Sequence, residues 1–134
     1  METLDKTQLE HAQTIIDVGQ AADLPDRAIV IALMTALQES SLHNLGHGDR
    51  DSLGLFQQRP SQNWGTPAQL RNPSWAAKAF YGINPESANP GLIDIANWQN
   101  MTRTEAAQAV QRSAYPDAYA QWHALAEELL ATLG

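Results

Sequence analysis

The sequence contains no cysteine, which excludes a disulfide scaffold, a thiol nucleophile and any thiolate-ligated zinc or iron–sulfur centre. Basic residues are few, eight against fifteen acidic, for a net charge of −7. That balance argues against a protein that tracks phosphates, so no nucleic-acid partner is expected. No apolar run approaches the ~18 residues that a membrane span requires. The opening METLDKTQLEHAQ lacks the basic stretch followed by an apolar one that marks a signal peptide. His43 and His47 stand at a helical ligand spacing, but Gly46 and Gly48 place them in a loop, so neither a metal nor another cofactor is expected. What is present is 134 residues with 43% apolar content, enough for one folded domain over residues 1–134, expected as a monomer.

Helical periodicity dominates. Leu9, Ala12, Ile15, Ile16, Gly19 and Ala22 recur at three- and four-residue steps and lay one apolar stripe along a helix. Pro25-Asp26 opens a second helix, and Ala28 to Leu37 is apolar almost all round, the pattern of a buried central helix. Thr66-Pro67 and Asn72-Pro73 each set a capping residue before a proline, and Thr102 to Glu105 reads as a capping box. The last helix is predicted from Pro116, with Tyr119, Trp122, Leu125, Leu129 and Leu133 on one stripe. Between His43 and Gly65 the chain is loop, rich in glycine, with Ser52 to Gln57 as a candidate short strand or hairpin. The predicted picture is about six helices around a loop-and-hairpin insert.

Glu39 is the sharpest anomaly. It follows the buried run and precedes the glycine-rich loop, where the core opens to the surface. Partial burial there raises a carboxyl pKa, and the negative end of the helix dipole acts in the same sense. A carboxyl held protonated near neutral pH can donate to a poor leaving group such as a glycosidic oxygen. Asp49 and Asp51 follow on the loop, and glycosidases often flank the bond with two carboxyl groups. A solvated turn is the plainer reading of that pair. Gln57 and Gln58 carry amides suited to sugar hydroxyls and N-acetyl groups. Trp64 lies beside the expected cleft, whereas Trp75 and Trp122 fall on helical stripes and are expected in the core. Arg59 and Arg112 could meet carboxylates of a ligand, or form surface ion pairs of small worth.

Glu39-Ser40, followed by Gly54-Leu55-Phe56-Gln57, resembles the Glu-Ser … Gly-Leu-Met-Gln signature of soluble lytic transglycosylases and their lysozyme-like relatives. Ala114-Tyr115 looks like the later Ala-Tyr-Asn motif, and GDRDSLGLFQQRPSQNWGT is similar to a domain type of actinobacterial wall proteins and phages. The resemblance covers roughly residues 28–119. It implies a mainly α fold of the α+β lysozyme-like kind, with about six helices and a short β-hairpin at the cleft. It also implies cleavage of peptidoglycan strands at the bond between N-acetylmuramic acid and N-acetylglucosamine. Glu39 would be the catalytic acid and then the base that closes a 1,6-anhydro ring. Gln57 would bind sugar, Tyr115 would orient Glu39, and Ser40 would support the glutamate's surroundings. With Asp49, Phe56, Gln58 and Trp64 these make up the expected substrate-binding set. Phe56 stands where the pattern has Met, and Pro116 where it has Asn. The Asp49/Asp51 pair is similar instead to goose-type lysozymes, in which aspartates position water, so hydrolysis with Asp51 or Asp49 in that role is the alternative. A glycan-binding or phage structural module with little turnover is a further one. The expected workplace is the cell wall, reached as part of a longer secreted protein or as a phage product.

Overall fold

The computed structural model describes residues 4–112 and 117–134. Among them are six α-helices: α1 (Lys6–Ala21), α2 (Asp26–Ser40), α3 (Pro67–Leu70), α4 (Pro73–Tyr81), α5 (Arg103–Gln111) and α6 (His123–Leu133). Short 3-10 turns occur at Pro60–Gln62, Leu92–Asp94, Trp98–Asn100 and Ala118–Trp122.

Local chemistry starts most of these helices. Asp5 and Gln8 cap α1 reciprocally, each side chain accepting from the other's backbone N–H at 2.8 Å. Thr66 with Gln69 and Thr102 with Glu105 do the same for α3 and α5, and the Asn72 side chain caps α4. α2 is the centre of the molecule. Every residue from Ala28 to Leu37 is buried, and the helix packs against α1, α4, α5 and α6. A helix covered on all sides needs no polar face, which is why its sequence shows none. Each large aliphatic side chain buried in this way contributes about 1.5–3 kcal/mol. α2 ends where Ser41 turns left-handed (φ 54°). Its N–H bonds to Leu37 O at 3.0 Å and that of Leu42 to Ala36 O at 3.3 Å.

The expected α+β architecture is not present. Among the described residues there is no β-strand, and the fold is an all-α, six-helix bundle. The segment predicted as a hairpin contains a single isolated antiparallel bridge, Leu53 with Gln58, made by reciprocal N–H···O bonds of 3.0 and 3.1 Å. The ladder cannot extend inward because Gly54 (φ 81°) and Gln57 (φ 50°) are left-handed and turn the chain between those two residues. Nor do side chains alternate between two faces, since Leu55 and Phe56 are both fully buried. The chain here is a tight turn tucked into the core. The last helix also differs from expectation. It begins at His123, after the 3-10 turn, whereas its predicted start at Pro116 lies outside the described residues.

Candidate functional site

Glu39 occupies the last turn of α2, half-buried. Two side chains reach its Oε2. The Tyr119 hydroxyl donates at 2.8 Å and Gln111 Nε2 donates at 3.3 Å. Burial pushes the Glu39 pKa above the usual glutamate value of 4.5. The bonds from Tyr119 and Gln111 favour the charged form and offset part of that rise. Gln111, at the C-terminal end of α5, also donates from Nε2 to Phe56 O at 2.7 Å. The acid, the end of α5 and the buried turn are therefore joined.

Glu39 lines a cleft of about 740 Å³, with Asp49, Arg50, Gln57, Gln58, Arg59, Trp64, Gln111 and Arg112 among the other lining residues. The cleft sits where α2 and α5 both end and the loop from His43 to Gly65 folds over them. Its acidic lining residues are Glu39 and Asp49, and its basic ones are Arg50, Arg59 and Arg112.

The cleft thus brings together Glu39, Asp49, Gln57, Gln58, Arg59, Trp64 and Arg112 of the residues singled out from sequence. Asp49 is exposed, and its carbonyl accepts from Ser52 N–H at 3.1 Å. Gln57 donates from its amide to His47 O (3.2 Å) and Gly54 O (3.1 Å), which braces the loop. Gln58 is buried and donates to Ala76 O of α4 at 3.3 Å, a mainly structural engagement. Trp64 is half-buried, and its carbonyl accepts from Ser87 Oγ.

Three other candidates lie off the lining. Asp51 has both carboxylate oxygens engaged. Arg59 Nε is 2.6 Å from Oδ1, and Ser61 N–H donates to Oδ2 at 2.8 Å. The Arg59 contact and the Ser61 bonds hold its carboxyl well below the usual aspartate range. Ser40 is buried, and its hydroxyl lies 2.7 Å from Leu55 O and 3.1 Å from Ala36 O, which ties the end of α2 to the turn. Phe56 is fully buried and stacks on Phe80 with ring centroids 4.9 Å apart, so it belongs to the core. Tyr115 lies outside the described residues. Of the other tryptophans, Trp75 is half-buried against Gly65, and Trp122 is half-buried with Nε1 donating to Gln38 Oε1 at 2.8 Å.

Two residues that matter here were not singled out as functional from sequence. Tyr119 falls on a stripe that reads as core, and it is indeed fully buried, but its hydroxyl is aimed at Glu39. Gln111 reads as an ordinary polar residue near a helix end. The available signal was only general: a buried carboxyl needs donors, but many side chains after Thr102 can donate, so the sequence did not single out these two. No family model matches the chain, and no curated protein matches it. Chemically, the arrangement is a half-buried carboxyl with a raised pKa, held on one oxygen, at the wall of a polar cleft. Such a group can give a proton to a ligand bound there.

Proposed function

We propose that this protein cleaves peptidoglycan glycan strands at the β-1,4 bond between N-acetylmuramic acid and N-acetylglucosamine, by lytic transglycosylase chemistry. The observation that carries the reading is the placement of Glu39: a carboxyl with a raised pKa on the wall of a cleft that also contains Gln57 and Trp64. The order Glu39-Ser40, then Gly54-Leu55-Phe56-Gln57, supports the substrate assignment through its resemblance to that family.

In this mechanism Glu39 donates its proton to the glycosidic oxygen as the bond to C1 breaks. The resulting carboxylate then takes the proton of the muramic acid C6 hydroxyl while O6 bonds to C1. A 1,6-anhydro ring closes, Glu39 is protonated again, and no water is consumed. Trp64 offers an apolar face for a sugar ring, and Arg50 and Arg112 offer partners for carboxylates on the wall polymer. The protein would act at the cell wall, within a longer secreted chain or as a phage product.

Asp51 is a poor choice for positioning a hydrolytic water because Arg59 and Ser61 hold both of its oxygens. Asp49 is exposed on the cleft, and that placement favours it as the water-positioning residue in a second reading, lysozyme-type hydrolysis. Mass spectrometry of digested purified sacculi separates the two. The first reading expects 1,6-anhydro muropeptides, and the second expects reducing-end products one water heavier. No released muropeptides from active-site-intact protein would overturn both.

A further inference from the structure

The hydrogen bonds around Glu39 distinguish its two oxygens. Phe56 O can only accept, so the end of the Gln111 amide 2.7 Å from it must be the nitrogen. That fixes the amide's orientation, and Nε2 then also faces Oε2 of Glu39 at 3.3 Å. An oxygen that meets an N–H hydrogen cannot aim a hydrogen of its own along the same line. With the Gln111 N–H and the Tyr119 hydroxyl (2.8 Å) both donating to it, Oε2 has no lone-pair direction left for a hydrogen of its own and is the acceptor oxygen of the protonated carboxyl. Oε1 accepts no hydrogen bond from a described residue. In a protonated carboxyl one oxygen is the carbonyl acceptor and the other bears the hydrogen, so the hydrogen belongs on Oε1.

We propose that Gln111 is a positioning residue that keeps the transferable proton of Glu39 on Oε1, by holding Oε2 as the acceptor and anchoring itself to the Phe56 carbonyl. The inference rests on the reading of Glu39 as the acid. The anchor is firm because the Leu55–Phe56 turn is fastened a second time, through Ser40 Oγ to Leu55 O at 2.7 Å. The end of α2, the end of α5 and the turn therefore hold the carboxyl as one unit. The charged groups that share the cleft with Glu39 are Asp49, Arg50, Arg59 and Arg112, and all remain when Gln111 is replaced.

Gln111→Met keeps the side chain's length and removes its N–H donors. Three readouts apply: the Glu39 titration followed by carboxyl carbon NMR, the infrared C=O stretch of its protonated form, and kcat and KM on sacculi. The titration should move up, because a donor to the charged form is lost. The stretch should move to higher wavenumber, because the carbonyl oxygen loses a hydrogen bond. kcat should fall roughly tenfold with KM changed by less than about twofold, the pattern of a group that serves the chemical step rather than uniform substrate binding. An unmoved titration with an unmoved stretch overturns the proposal. Should the methionine variant fail to fold, Gln111→Asn serves in its place: its shorter amide cannot span Phe56 O and Glu39 together, and the same outcomes apply. The NMR and infrared readouts need no turnover. A Glu39→Gln protein as active as wild type would therefore defeat the acid reading without deciding the role of Gln111.

Discussion

Glu39 sets the cost of removing a charge from water against the gain from two donors, and burial wins. A group whose pKa is higher in the folded state than in the unfolded state stabilises the fold below the unfolded value. That contribution is lost as pH rises through the folded value. Glu39→Gln removes the charge and keeps an acceptor for Tyr119 and Gln111. Its melting temperature should exceed that of wild type at neutral pH, and the two curves should converge below the usual glutamate value of 4.5. Wild-type activity should decline as pH climbs through the raised Glu39 pKa, since the acid is then deprotonated. Calorimetry and a pH–rate profile check the pair, and activity still rising well above pH ~8 would contradict the acid role. The position of Glu39 was legible because an apolar run followed by glycine-rich loop marks a core edge. Asp51 was not separable from Asp49 by spacing. The fate of Asp51 depends on Arg59 and on the Ser61 backbone, contacts that only the folded loop creates.

The turn from Ser52 to Gln58 shows why a short apolar segment misleads. Its sequence allows a hairpin, and its ends do pair, but the residues between them enter the core. Gly54 is the pivot. Its φ of 81° is left-handed, and a Cβ added there would lie 2.3 Å from Leu70 O, a backbone atom that cannot swing away. Gly54→Ala should therefore destabilise the fold by about 1–3 kcal/mol, measurable by urea denaturation. Unchanged stability would show that the turn relaxes freely. Helix starts were legible because caps act within three residues, as at Thr66, Asn72 and Thr102. The hairpin misreading arose because turn and strand differ there in burial of Leu55 and Phe56, which is set by α2 and by Phe80 rather than by near neighbours.

The bundle is organised by α2, whose buried length carries the core and whose end presents the acid. α1 meets it closely at Gly19, where a Cβ would fall 2.7 Å from Ile29 Cγ1 and 2.9 Å from the Tyr81 hydroxyl. That hydroxyl, buried, donates to Ile15 O at 2.8 Å and links α4 to α1. Gly19→Ala would gain about 1 kcal/mol of helix propensity. Overpacking at this three-helix junction should cost more, so that the net effect is a loss of about 1–2 kcal/mol by the same denaturation assay. The chain's net charge of −7 does not extend evenly into the cleft, where three arginines line the walls with Glu39 and Asp49. On the proposed function, recruitment to an anionic wall polymer would come from these local contacts rather than from the long-range field. The most direct test of Glu39 as the acid of that cleft is to compare Glu39→Gln with wild type on purified sacculi, with circular dichroism to establish that both are folded. Wild type should release muropeptides, and the variant should lose at least about a hundredfold of that activity; equal release by the two folded proteins would contradict the acid role of Glu39.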